Sequence, residues 1–155
     1  MKIRHTFSSY AELNKDELYD MLALRVEVFV VEQDCPYQDL DRLDQQAVHL
    51  LSKDENGKIL ATLRILPPGV AYDCHAIGRV VVSPSSRGTG LGHVIMEEAL
   101  KYLRGQSHTN LKIKLSAQEH LRGYYERHGF KQCGEGYLED GIPHIPMDRL
   151  MEGGV

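Results

Sequence analysis

Residues 77–92, IGRVVVSPSSRGTGLG, constrain the fold more than any other stretch of the chain. Val80, Val81 and Val82 are β-branched and predict a buried strand. Residues 83–86, with Pro84 among three serines, break that strand in a turn. Arg87, Gly88, Thr89, Gly90, Leu91 and Gly92 then lead into a helix whose apolar positions, Leu91, Val94, Ile95, Ala99 and Leu103, keep helical spacing. A strand, a glycine-rich turn and a helix start together suit a phosphate. The first N–H groups of the helix have no partner within it, and its dipole makes that end positive. Glycine lets the anion approach the backbone. The glycines alone fit a turn with no ligand equally well. Two phosphate loops are excluded. There is no Gly-Lys-Ser or Gly-Lys-Thr, and the glycines run G-x-G-x-G, with His93 where G-x-G-x-x-G needs glycine.

The chain of 155 residues predicts one domain over residues 1–155. The formal charge of −4 leaves no basic footprint, so nucleic acid is not an expected partner. No apolar run approaches the roughly 20 residues that span a bilayer, and residues 1–5 start no signal peptide, so a cytoplasmic protein away from membranes is expected. Cys35, Cys74 and Cys133 are odd in number and far apart, which predicts free thiols. Without C-x-x-C or H-E-x-x-H, no metal is expected.

Ile3, His5 and Phe7 alternate with polar residues and predict a first strand. Asn14 followed by Glu17 reads as a capping box, opening a helix over about residues 15–28. Arg25 falls on the apolar face of that helix, as a rim arginine burying its stem or as a binding group beside a cleft. Residues 29–44, with Pro36 and several carboxylates, predict an ordered loop, whose acidic residues form a solvated face or, over residues 32–39, line the acceptor site. Strands are expected over 47–52 and 59–66, joined through Asn56-Gly57, then over 76–82. The central helix should reach about Arg104. Leu111, Ile113 and Leu115 alternate with lysines in a further strand. A short helix over 119–128 should close at Gly129, and two strands, 130–137 and 145–150, should flank a turn at 139–143. The order is β-α-loop-β-β-β-α-β-α-β-β, an α/β (α+β) chain with a mixed sheet.

Arg87-x-x-Gly90-x-Gly92, with the strand before it and the helix after it, resembles the Q/R-x-x-G-x-G/A signature of the GNAT N-acetyltransferases. Tyr125-Glu126-Arg127-His128-Gly129-Phe130 resembles that family's late Y-x-x-x-G-F motif. Residues 25–39, 77–80, 115–121 and 139–145 are together similar to its bacterial ElaA-like branch. The resemblance covers nearly the whole chain. It implies a GNAT-like fold, a twisted mixed β-sheet flanked by helices and splayed between the fourth and fifth strands. It implies acetyl-coenzyme A as acyl donor. Val80, Val81 and Val82 would run along the pantetheine arm, and Arg87, Gly88, Thr89, Gly90, Leu91, Gly92 and His93 would hold the pyrophosphate. Tyr125 would be the general acid for the departing thiolate, with Tyr124 structural.

The activity implied is direct acetyl transfer to an amine of a small-molecule or peptide acceptor, with a homodimer left open. An alkylammonium must lose a proton before it attacks, and Glu32, His49, His75 and His144 are candidate bases. Arg25, Arg64 and Arg79 could hold an acidic part of the acceptor or form structural ion pairs. The acceptor-site candidates are thus Arg25, Glu32, Arg79 and His144. Two other readings stay open. One is a non-catalytic acyl-coenzyme A-binding or sensor domain. The other is acyl-homoserine lactone synthesis, suggested only by Arg25-x-x-Val28-Phe29.

Overall fold

The computed structural model describes residues 2–153. Its elements are β1 (Arg4–Ser9), α1 (Lys15–Arg25), β2 (Val48–Lys53), β3 (Ile59–Leu66), β4 (His75–Val82), α2 (Leu91–Gln106), β5 (Leu111–Gln118), α3 (Arg122–Glu126), β6 (Lys131–Gln132), β7 (Tyr137–Glu139) and β8 (Ile142–Met151). The eight strands form one open mixed sheet in the order β1-β2-β3-β4-β5-β8-β6, with β7 added beside β8. All pairings are antiparallel except β4 with β5. No helix among the described residues is long and apolar enough to cross a membrane.

Each face of the sheet takes a helix. On one side α2 buries Leu91, Ile95, Met96, Ala99 and Leu103 against β3, β5 and β8. Val94, placed by its spacing on the same stripe, lies outside the buried face. On the other side Met21, Leu24 and Val28 pack on Leu51, Ile59 and Val81. β3 lies between the two layers and is buried along its whole length, which is why it reads as a continuous apolar run. β5 keeps one apolar face, Leu111, Ile113, Leu115 and Ala117, and its alternate residues face away from α2.

The capping box at the start of α1 forms as expected. Asn14 Oδ1 accepts from the Glu17 amide at 2.8 Å, and Glu17 Oε1 accepts from the Asn14 amide at 3.0 Å. The end of that helix differs from the sequence expectation. The chain stays helical past residue 28, widening into a π-helix over Val26–Glu32, where a loop was expected from residue 29. Bonds spanning five residues close it, Gln33 N–H to the Val28 carbonyl at 3.2 Å and Cys35 N–H to the Val30 carbonyl at 3.0 Å. β-branched Val26, Val28, Val30 and Val31 are poor α-helix formers, and the wider turn shifts the side-chain register by one position. Val28 remains buried while Phe29 and Glu32 line the cleft described below.

The other departures are smaller. The strand expected over 130–137 is interrupted, forming only β6 and β7: Cys133 N–H still donates to the Pro146 carbonyl at 2.9 Å, and the chain leaves the ladder over residues 134–136, which include Gly134 and Gly136. The expected 119–128 helix is a 3₁₀ turn followed by the single short α3. Gly129 does close it, with φ of +83°.

Candidate active site

The site begins where β4 and β5 part. They share only two ladder positions, His75 with Ile113 and Ala76 with Lys114. Beyond Ala76 the strands diverge, so the later part of β4 has no strand partner on its β5 side. Opposite, β3 and β4 stay paired but slip register: Thr62 faces Val81 and Arg64 faces Gly78, which leaves Arg79 and Val80 as a bulge. Arg79 takes φ of +50°, unusual for a side-chain-bearing residue. The bulge bends β4 as it enters the gap.

A cleft of about 790 Å³ occupies this gap. One wall is β4, including Val80, Val81 and Val82. The opposite wall has Ser116 and Gln118 of β5, with His120, Leu121 and Tyr125 beyond. Phe29, Glu32, Gln33, Cys35 and Tyr37 form a third side, and Glu139, Asp140, Ile142 and His144 a fourth. Helix α1 covers β2–β4 but not β5 or β8, so the face of β5 turned from α2 opens into the cleft and carries polar residues. Cys35 Sγ reaches the Asp140 carbonyl at 3.5 Å, joining the third and fourth sides, and Gln118 Nε2 donates to Gln33 Oε1 at 3.3 Å, joining the β5 wall to the third.

At the rim, β4 runs through Pro84–Ser86 into the glycine turn. Gly90 is the N-cap of α2 with φ of +84°, and Gly88 has φ of +78°. A β-carbon at either would meet nothing within 4 Å. Glycine is therefore required at Gly90 by backbone conformation and leaves open space in front of the turn. The N–H groups of Gly88, Thr89 and Gly90 have no hydrogen-bond partner among the described residues. Unpaired amides at the start of a helix of 16 residues fit a pyrophosphate. Leu91 contributes through its backbone only, since its side chain is buried in the core. The His93 ring turns away from the cleft, its Nδ1 2.9 Å from His128 Nε2. Burial, with the neighbouring His93, pushes His128 below its ordinary range.

Arg87, the first residue of the motif, meets Glu32 in a two-point ion pair, Nη1 to Oε2 at 2.8 Å and Nη2 to Oε1 at 2.5 Å. That bond holds the Glu32 carboxyl below the usual range. Tyr125 is buried in the cleft wall, against Phe130 and Tyr124. Burial pushes its hydroxyl up to about 12. No hydrogen bond among the described residues engages that hydroxyl, whereas Tyr124 donates to the Gly92 carbonyl at the start of α2.

The arginines are placed differently from the acceptor-site expectation. Arg25 is 1% exposed and does not line the cleft. Its Nε donates to Asp39 at 2.9 Å, and its Nη1 and Nη2 donate to Asp44 at 2.7 and 3.1 Å. It therefore pins residues 39–44 to α1. Arg64 binds Asp41 at 2.5 Å and Asp44 at 3.0 Å. Arg79 lines the cleft, but it contacts Asp39 at 2.8 Å and Asp41 at 3.3 Å and lies 5.7 Å above the Tyr37 ring. Three guanidinium groups and three carboxylates thus form one closed network. An unpaired charge at that depth would be costly, which fixes the loop and the β4 bulge together. The aspartates were not singled out in the sequence because carboxylates in a loop ordinarily face solvent.

Of the candidate bases, His49 is buried with Nε2 2.9 Å from the Asp44 carbonyl, outside the cleft. Burial lowers the affinity of both His49 and His75 for a proton, and His75 also lies outside the cleft. Glu32 and His144 do line it. Ser116, Gln118, His120 and Glu139 also line the cleft; polar alternation along β5 is a sequence signal for the first two, and none marks the others. Among the described residues, no group of three or more His, Cys, Asp or Glu is placed to hold a metal ion.

A sheet that parts after one strand pair, beside a glycine turn with free amides, is the architecture of the GNAT acyltransferases. The sequence matches the profile of the Acetyltransferase (GNAT) domain over residues 11–151, and the chain belongs to that family. Within it the chain is ElaA-like. It is 40% identical to Protein ElaA of Escherichia coli (strain K12) over 142 residues, covering 90% of this chain and 92% of that one. The crystal structure of Escherichia coli ElaA aligns with a TM-score of 0.87 at 38% identity, covering 96% and 99% of the two chains. An acyl-CoA N-acyltransferase from Pseudomonas aeruginosa aligns with a TM-score of 0.87 at 47% identity, covering 94% and 99%.

Proposed function

We propose that the chain transfers an acetyl group from acetyl-coenzyme A to an amine of a small-molecule or peptide acceptor by direct attack. The observation that carries this reading is the unpaired side of β4, ending in the free amides of the Gly88–Gly90 turn. Val80, Val81 and Val82 offer backbone donors and acceptors along the cleft. Arg87 and the turn amides hold the pyrophosphate. Acetyl-coenzyme A supplies the activated acyl thioester.

The chain's own residues then have separate tasks. A backbone N–H of the β4 bulge region faces the charge that develops on the acyl oxygen. Tyr125 gives its hydroxyl proton to the departing thiolate; a hydroxyl pushed up to about 12 stays protonated at neutral pH and is available as a donor. The acceptor enters beside residues 33–38 and the β7–β8 turn. There Glu139 and Asp140 line the cleft and meet no Lys or Arg among the described residues, which favours a cationic amine.

The test is thiol release from acetyl-coenzyme A with a panel of alkylamines, polyamines and N-terminal peptides, with product mass as confirmation. Acetylated amine with matching thiol release supports the reading. Tight coenzyme A binding by calorimetry with no acetylated product would favour the non-catalytic sensor reading.

A further inference from the structure

We propose that His144, held by Glu139, is the general base that takes the proton from the acceptor amine. The inference rests on the acyl-transfer reading above and supplies the group it leaves open.

His144 lies on β8 directly across from Gln118 of β5, on the polar face that opens into the cleft. Its side chain is 9% exposed. Nδ1 is 2.7 Å from the Ile142 carbonyl. A carbonyl only accepts, so Nδ1 carries the proton and the neutral ring keeps its lone pair on Nε2. Nε2 lies 3.3 Å from Glu139 Oε2. The ring stacks on Tyr137, with centroids 6.2 Å apart and planes 19° from parallel. Tyr137 is in turn hydrogen-bonded to Ser116. The carbonyl selects the Nδ1–H tautomer and, with the ring, one orientation; the carboxylate beside Nε2 cannot bond to the neutral lone pair but can accept from an N–H formed there, the arrangement that prepares an imidazole to take a proton.

The charges around it agree. Glu139 and Tyr137 face it from β7, Asp140 stands in the turn, and β5 offers only neutral Ser116 and Gln118. The cleft's cations are engaged elsewhere, Arg79 by Asp39 and Asp41, and Arg87 by Glu32. An imidazolium at this position would meet a carboxylate and no opposing cation. His120 also lines the cleft, but it is exposed and no hydrogen bond orients its ring.

In the step, the alkylammonium gives one proton to Nε2. The freed lone pair forms the C–N bond to the acyl carbon, and the C–S bond breaks. Tyr125 protonates the thiolate. The nitrogen loses its second proton to water, which restores the tyrosine. His144 releases its proton to solvent, so one proton leaves for each acyl group moved.

Two measurements test this. In the protein without donor, two-bond proton–nitrogen NMR of ¹⁵N-labelled histidine should show the neutral ring of His144 with its proton on Nδ1. With a validated amine, His144→Gln should lower kcat/KM by about 10²-fold or more and abolish the acid limb of its pH profile. Glu139→Gln, a change at an exposed residue, should fold normally and lower kcat/KM by a smaller factor. Coenzyme A affinity should be unchanged in both. An Nε2–H tautomer, or a His144→Gln protein with parental rate and acid limb, overturns the inference while acyl transfer stands. A His144→Gln protein that has lost its fold leaves Glu139→Gln decisive, and a parental rate there overturns the inference. A parent that acetylates no amine overturns both readings.

Discussion

Glu32 and Arg87 hold each other at the rim of the cleft through two parallel hydrogen bonds, although they stand 55 positions apart and belong to opposite sides of the site. The sequence offered one to the acceptor and the other to the pyrophosphate. In the structure each neutralises the other. A phosphate approaching the glycine turn must compete with the Glu32 carboxylate for the guanidinium.

Glu32→Gln should therefore tighten coenzyme A binding, by less than about tenfold because the pair is exposed and screened. Arg87→Ala should weaken it. Calorimetry with coenzyme A at two salt concentrations distinguishes the effects. If Glu32→Gln leaves affinity unchanged while Arg87→Ala lowers it, the two groups do not compete.

Gly90→Val should lower coenzyme A affinity at least tenfold. A β-branched residue at φ of +84° is strained, at a cost of about 1–2 kcal/mol, and its side chain fills the space before the free amides. Gly92→Ala is the matched control. Its β-carbon would meet Val82 Cγ2 at 3.6 Å and Tyr124 Cε1 at 3.7 Å, ordinary contacts, so the fold should persist. Equal coenzyme A affinity in a folded Gly90→Val protein would remove the turn from the pyrophosphate site.

Tyr125→Phe should reduce kcat towards the lower part of the ~10²–10⁴ range of general acid–base catalysis, because coenzyme A thiolate is already a fair leaving group. The buried ring is kept, so stability should hold. Tyr124→Phe removes the bond to the Gly92 carbonyl and should cost about 1 kcal/mol of stability while most activity remains. Kinetics on one acceptor and denaturant unfolding of both variants decide it; parental turnover in Tyr125→Phe defeats the assignment. With Tyr125 pushed up to about 12, its own ionisation should impose no alkaline limb below that pH.

The arginine–aspartate network makes stability fall in acid. Burial alone would raise Asp41, but Arg64 overcomes it and brings the carboxyl down to about 2; burial opposes Asp44 likewise, and Arg25 and Arg64 bring it below its usual range. A carboxyl lowered by folding contributes stability that is complete above the unfolded value near 4 and lost as pH falls through the folded one. Unfolding by urea should therefore show a decline between about pH 4 and pH 2. Arg25→Ala should cost about 3–5 kcal/mol at neutral pH, because it opens the network and takes from Asp39 and Asp44 one of the two guanidinium groups each meets, leaving Arg79 and Arg64. An Arg25→Ala protein of parental stability would show that the network is dispensable.

Local chemistry is where the sequence was most legible. β3 was placed residue for residue, the capping box at Asn14 and Glu17 formed, and the turn leading to Gly90 stood between the strand and helix expected for it. These follow from neighbours in the chain: β-branched runs, a cap three residues from its partner, glycine where φ must be positive. The motif at residues 87–92 and the Y-x-x-x-G-F register also pointed to the family. The sequence alone had fewer means to place groups that meet across the fold. The π-turn at Val26–Glu32 arises because a β-branched segment has both to pack Val28 on the sheet and to bring Glu32 to the rim. Arg25 could be a rim, ion-pairing or ligand-binding arginine until tertiary structure supplied Asp39 and Asp44. His144 was one of four candidate bases until β7 brought Glu139 and Tyr137 beside it. Periodicity reports which face of an element is apolar. Which charges face one another across a cleft depends on strands and loops distant in sequence, and only the assembled sheet brings them within hydrogen-bonding range.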